Sequence, residues 1–348
     1  MRGDPPQADA TGPIPADSTP PGQLEVSEAP AVADAAGARE AARAAVDAAQ
    51  VRRGTILGLA AYGLWGLFPL YFHALDRAGA WEILAHRILW TMVLCLLVLA
   101  VRRDWAWLRG VLRSRSLLVG LSTAAVVIAM NWVLYVLAVI SGHTYEAALG
   151  YFLNPIFTVA LGVIVLGERL RRLQWLGVAT GAAAALFLAV AGGKPPWIAL
   201  GLATTFSLYS LLKKRVGATL QPWHSLFAET AVLTPIAMVI VALVIRAGDA
   251  TYGSSPGQTV LLSVSGVVTA IPLLLFAGAA QRVPLVTIGL IQFMTPVMQL
   301  LVAVVLLHEH VDATLWVGFA IVWVALVLLT VDSIWVARRG RVQAARAR

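Results

Sequence analysis

Residues 149–168, LGYFLNPIFTVALGVIVLGE, and residues 290–309, LIQFMTPVMQLLVAVVLLHE, decide the fold of this chain. Each is an apolar run of about the length a helix needs to cross a hydrocarbon core of roughly 30 Å. Set in register, Pro155 falls on Pro296, Leu166 on Leu307 and Glu168 on Glu309. Further along, Trp175 falls on Trp316 and Gly177 on Gly318. All five pairs share one offset, 141 residues (155 to 296). With small gaps the match runs back, placing Leu57-Gly58-Leu59-Ala60 on Leu200-Gly201-Leu202-Ala203 and Trp81 and Leu84 on Trp223 and Leu226. A chance likeness of apolar helices does not put Pro, Glu, Trp and Gly in one register. One unit occurs twice.

Working outward, ten apolar stretches fill the chain, near 54–74, 82–101, 116–140, 144–166, 172–191, 197–213, 223–245, 258–279, 284–307 and 312–335. Hydrophobic residues make up 59% of the sequence and charged ones 13%, more apolar surface than a soluble domain of 348 residues can hide. Inside lipid a helix satisfies its own backbone hydrogen bonds, so these stretches read as membrane helices. Five spans per repeat is an odd number, so the second unit enters the membrane upside down relative to the first. The expected fold is an all-α integral membrane protein with ten transmembrane helices in two inverted-topology five-helix repeats. The expected division is 1–52, an Ala/Pro-rich disordered extension with a frayed helix near 35–50; 53–193, the first repeat; 194–336, the second; and 337–348, a basic tail. The extension lacks the basic and apolar regions of a cleavable signal, so the first span would serve as an uncleaved one.

The net charge of +8 would suggest nucleic acid in a soluble protein, but here position decides. Nineteen Lys and Arg fall on one set of connections, from Arg52 and Arg53 through Arg169, Arg171, Arg172, Lys213, Lys214, Arg215 and Arg282 to the tail. Only Arg77, Lys194 and Arg246 fall on the other. This bias places both termini in the cytoplasm and makes the bacterial plasma membrane the expected home. The inverted repeat passes a second check. The loop Gly167-Glu168-Arg169-Leu170-Arg171-Arg172 is expected inside, and its counterpart His308-Glu309-His310-Val311-Asp312-Ala313, expected outside, holds no arginine. Anionic lipid is the expected contact of the basic loops.

Several chemistries find no footing. Cys95 is the single cysteine, which rules out an intrachain disulfide and a cysteine-based metal site. No phosphate-cradling glycine loop with a following Lys occurs, and His308-Glu309-His310 lacks zinc-site spacing. No cofactor is expected, and the chain is expected not to be an enzyme.

Ionisable and amide side chains inside spans are the candidates for function. Arg87 and its repeat counterpart Glu229 lie equally deep in spans two and seven, entered from opposite faces. They either line a central cavity from its two ends or snorkel to the nearer interface. Pro155 and Pro296 each remove a helix hydrogen bond in the middle of spans four and nine, and so are candidate kinks or gates. Tyr151, Asn154, Gln292 and Gln299 cluster at their level, and symmetry faces the two helices across the pseudo-axis. Asn131 and Tyr135 share a face of span three beside Trp132. Tyr62 and Trp65 in span one offer a matching aromatic wall. Glu168 and Glu309 end spans four and nine and are expected to cap helices. Gly54-Gly58 and Gly177-Gly181 permit close helix contact within the bundle or between copies.

The stretches Asn131-Trp132-Val133-Leu134-Tyr135, Leu149-Gly150-Tyr151-Phe152-Leu153-Asn154-Pro155, Gly66-Leu67-Phe68-Pro69-Leu70-Tyr71, Glu82-Ile83-Leu84-Ala85-His86-Arg87, Gly167-Glu168-Arg169-Leu170 and Thr269-Ala270-Ile271-Pro272-Leu273-Leu274-Leu275-Phe276 together resemble the RarD branch of the EamA group of drug/metabolite transporters. The resemblance covers about residues 52–335, and the extension before Val51 departs from it. It implies solute transport by alternating access, with a small organic metabolite or drug as substrate. Protons or an exchanged counter-substrate are candidate coupling partners, and a homodimer is a candidate assembly. The rival readings are a membrane-embedded enzyme acting on lipid-linked substrates and a non-transporting sensor or scaffold.

Overall fold

The computed structural model describes residues 29–141, 144–191, 197–216, 219–306 and scattered positions between 316 and 331. The tenth apolar stretch, Glu309 and the basic tail lie wholly or largely outside the described residues. By compactness the chain divides into Met1–Asp47 and Ala48–Arg348. In the first unit the Ala-rich stretch is helical from Ala29, earlier than the expected helix near 35–50. All that follows concerns the second.

Among the described residues every regular element is helical. In chain order they are α1 (Ala29–Gly66), α2 (Phe68–His73), α3 (Ala80–Arg102), α4 (Ala106–Arg113), α5 (Arg115–Ile140) and α6 (Thr144–Leu166). Then come α7 (Arg172–Ala191), α8 (Trp197–Val216), α9 (Pro222–Ala247), α10 (Pro256–Ala280), α11 (Leu285–Gln292) and α12 (Met294–Leu301), which continues as a π turn over Val302–Leu306. Seven helical runs are long and apolar enough to cross a membrane: Ala42–His73, Ala80–Arg102, Arg115–Ala138, Leu149–Leu166, Pro222–Ala247, Pro256–Ala280 and Leu285–Leu306. The protein is an all-helical, multi-pass membrane protein.

Two of these runs are interrupted. The first breaks at Leu67, because Pro69 follows two residues later and tolerates only the opening turn of a new helix. The run from Leu285 breaks at Phe293, three residues before Pro296, which then sits in the first turn of α12. Pro155 behaves differently. α6 runs through it from Thr144 to Leu166, and the Asn154 carbonyl accepts a hydrogen bond from Ser207 Oγ at 3.2 Å.

The two halves interlock. α3 packs between α9 and α10, α5 lies against α8 and α9, and α6 lies against α8 and α11. Two crossings require glycine. A methyl group on Gly266 of α10 would run into the backbone of Trp90 and Thr91 on α3, and one on Gly289 of α11 would lie 2.9 Å from the Pro155 carbonyl of α6. The Gly54-Gly58 pair also faces inward, with Gly54 against Arg282 and Val283 and Gly58 against Ile291.

Glu168 caps a helix, though not the one that follows it in sequence. Its carboxylate accepts from the backbone N–H groups of Leu285 (2.8 Å) and Val286 (2.7 Å), the open N-terminus of α11 in the other half. A carboxylate there answers both the bare donors and the positive end of the helix dipole.

Candidate functional site

A cavity of about 200 Å³ lies at the level of the two helix breaks, bordered by the α1–α2 junction, α3, α5, α6, α8, α10 and the α11–α12 junction. Its size is somewhat above that of the engineered cavity of about 150 Å³ that accepts benzene in another protein.

One wall is aromatic. Tyr62 and Trp65 meet edge to face at 5.2 Å, and Phe206 lies 5.8 Å from Trp65 in the same manner. A second wall carries amides. Asn131 donates through Nδ2 to the Leu202 carbonyl and to Thr205 Oγ1, both at 2.9 Å. Gln292 accepts from Thr158 Oγ1 at 3.3 Å, and Gln299 reaches the Trp65 carbonyl at 3.4 Å. Thr295 ties the second helix break to the first by donating to the Tyr62 carbonyl at 2.9 Å. Tyr135 and Tyr151, with ring centroids 6.2 Å apart, close one end. Two side-chain polar atoms of residues that line it, Tyr62 Oη and Asn154 Oδ1, are buried with no hydrogen-bond partner among the described residues. Buried polar atoms left without a partner are rare, and water or a solute supplies the missing bond.

Arg87 stands where this cavity meets a vestibule of about 230 Å³ lined by Phe72, Asp76, Ala80, Trp132 and Tyr135, among others. Its Nε donates to Thr269 Oγ1 at 2.9 Å. The guanidinium carbon lies 5.1 Å from the centre of the Trp132 ring, 5.7 Å from Phe72 and 5.8 Å from Phe68. Among the described residues no carboxylate pairs with it. Ring contacts of this kind contribute about 0.5–2 kcal/mol each, whereas withdrawing an ion from water costs several kcal/mol. The rings hold the group flat but leave its charge largely unanswered.

Glu229 differs. It does not line the 200 Å³ cavity; the space it borders is a chamber of about 20 Å³ shared with Thr269 and Trp132. Its Oε1 lies 2.8 Å from Lys213 Nζ and accepts from Ser225 Oγ at 2.6 Å, and its Oε2 accepts from Tyr209 Oη at 3.0 Å. Glu229 and Lys213 are each 3% exposed. The sequence places Lys213 among the loop cations. The structure corrects this: α8 runs on to Val216, past the end of the apolar stretch, and carries Lys213 inward. The Arg87–Glu229 pair expected at the two ends of one cavity is thus an unpaired cation at the cavity and a paired anion outside it.

The structure brings Tyr62, Trp65, Arg87, Asn131, Trp132, Tyr135, Tyr151, Asn154, Gln292, Pro296 and Gln299 around one space. Pro155 stands beside Asn154 without lining it. Sequence reasoning missed Phe68, Pro69, Phe72, Ile128, Phe206, Leu273 and Thr295, which also line it. The signal for the first three was Pro69, an unexplained helix breaker inside an apolar span. Ile128, Phe206, Leu273 and Thr295 have no mark in sequence beyond their helix register.

The sequence pattern of the EamA-like transporter family matches residues 52–190 and, a second time, 195–331. Protein RarD of Streptomyces exfoliatus is 46% identical over 291 residues, covering 83% of this chain and 92% of that protein. Protein RarD of Escherichia coli is 37% identical over 295 residues, covering 84% of this chain and 99% of that one. A solved crystal structure 19% identical in sequence superposes with a TM-score of 0.62 over 82% of this chain and 98% of its own, a likeness of fold alone. Two matches of one membrane unit, relatives spanning nearly their full length and a site formed where both units meet place the chain in the EamA-like transporter family, in its RarD branch.

Proposed function

We propose that the chain is a secondary transporter that carries a small organic metabolite or drug across a bacterial plasma membrane by alternating access. One observation carries this reading: the cavity of about 200 Å³ lies at the helix breaks of both halves and is lined from both. A site on the interface between two units is exposed to either side when the units rock.

Ten spans in two inverted five-helix repeats, with both termini cytoplasmic, are the architecture of this proposal. The contacts between halves support it, because they come in exchanged pairs. Span three against six (α5 on α8) answers span eight against one, where Gly278 of α10 meets Leu57 and Gly58 of α1 meets Ala279. Span two against eight (α3 on α10) answers seven against three (α9 on α5). Span four against six (α6 on α8) answers nine against one, joined by the Thr295 bond to Tyr62. Swapped contacts of this kind are what a two-fold axis in the membrane plane produces. Pro155 and Pro296 are the gating positions, protons or a counter-substrate supply the drive, and neither catalysis nor nucleic-acid binding belongs to the reading. A homodimer is the assembly to test by mass in detergent.

Proteoliposomes of the purified full chain, loaded with a bacterial metabolite extract, should release a subset of solutes that protein-free liposomes retain, read by mass spectrometry. No difference between the two removes the transporter. Reporter fusions after Arg172 and Arg348 should behave as cytoplasmic and one after Asp312 as external; an external signal at Arg348 removes the ten-span arrangement.

A further inference from the structure

Resting on the transporter reading, we infer that the solute is an organic monoanion: a carboxylate, or a group of like charge, on a slim apolar body. The placement of Glu229 decides this. A cavity holding one Arg and one Glu suits a zwitterion. Glu229 instead lies outside, its charge met by Lys213 at 2.8 Å and its other oxygen by Tyr209. The formal charge lining the cavity is therefore Arg87 alone among the described residues, and it is positive.

The geometry around Arg87 specifies how the anion is held. Nε is taken by Thr269, so the remaining N–H groups of the guanidinium fork are the ones left for a ligand. A planar carboxylate meets that fork with two parallel hydrogen bonds. Phe68, Phe72 and Trp132 pack around the guanidinium and shield it in part from water, which strengthens its attraction for an anion. Asp76, the carboxylate bordering the connected vestibule, is exposed, where solvent screens its charge. Nothing lining the inner cavity offers a carboxylate to an ammonium group. The aromatic wall of Tyr62, Trp65 and Phe206 fits a flat apolar body.

Four probes with one ring and four charge states test this: 3-(4-hydroxyphenyl)propanoate, its alcohol 3-(4-hydroxyphenyl)propan-1-ol, tyrosine and tyramine. Binding is read as the shift in thermal unfolding of the full chain in nanodiscs, and movement as efflux from proteoliposomes. The anion should bind and move, and the other three should do so at least ~10-fold more weakly. Arg87→Gln should weaken the anion roughly 10- to 100-fold and leave the alcohol unchanged, because only the charge-assisted bonds are lost. Arg87→Lys should recover part of that loss, since its point charge lacks the fork.

Equal or better binding of tyrosine, tyramine or the alcohol overturns the inference, and so does the absence of any response to the anion. The panel on the parent protein reads this whether or not an Arg87 variant folds. If another charge class moves, the transporter stands and the anion assignment falls. If the anion binds at Arg87 but does not move, the site stands and the transporter falls.

Discussion

Arg87 and Glu229 each stand seven residues past the start of their helices, α3 and α9, and they have opposite fates. Glu229 is met by an ammonium, a serine and a phenol, every bond supplied by the chain. Arg87 is met by one threonine and three ring faces and then opens on a cavity. Their positions along the helices match, so position alone does not make a site. A half-buried charge with no counter-charge among the described residues is the one left for a ligand, and a buried charge already neutralised belongs to the framework.

Lys213→Met should give the largest effect. It leaves Glu229 buried without its counter-ion and should cost about 3–5 kcal/mol of stability, measured by denaturant unfolding in detergent. Arg87→Met, which removes a charge that had no partner, should change stability by less than about 1 kcal/mol while transport is lost. Similar losses in the two variants would end the contrast. Joining Glu229→Gln to Lys213→Met should return at least half of the lost stability, because the orphaned charge goes too; additive losses would mean that the two groups act independently.

Glu168 is a third case, a carboxylate answered chiefly by backbone N–H groups, with Lys214 more distant at 3.9 Å. Glu168→Gln should cost about 1.5–3 kcal/mol, the range for hydrogen bonds to a charged group, and a silent variant would reduce the cap to packing. The smallest effect belongs to Thr269→Val. Stability should fall by about 1 kcal/mol or less, and solute affinity should drop a few-fold as Arg87 loses its anchor. Solute affinity equal to that of the parent protein would show that the rings alone orient the guanidinium.

Most of the helical layout was legible because membrane spans announce themselves by length and apolarity, and the long described helices fall on the expected stretches, with the short α4 between two of them. Much of the cavity wall was legible for a related reason: in a span so apolar, each amide, tyrosine or arginine stands out, and Tyr151, Asn154, Gln292 and Asn131 do meet around one space. Partnership was not legible. Lys213 sits at the edge of an apolar run, where one further helical turn decides whether it faces solvent or Glu229, and hydropathy does not resolve one turn. The break at Leu67 was hidden for a different reason, since a proline beyond Gly66 could equally end a span or restart one. The aromatic faces over Arg87 follow from that break, because α2 sets Phe68 and Phe72 one turn apart, with ring centres 5.6 Å from each other.

The bond from Glu168 to the start of α11 also bears on how the protein is made. The ribosome releases the carboxylate more than a hundred residues before the helix it caps, and α11 has nothing of its own to offer its first N–H groups: Pro284 precedes it and makes no side-chain cap. The later half therefore reaches the membrane unfinished and is completed by a group from the earlier one. Two gene fragments cut between α7 and α8 should yield stable protein only when produced together. A lineage that began with one unit, doubling as its own partner, would have needed this same bond to form between separate chains before fusion placed both ends of it in a single polypeptide.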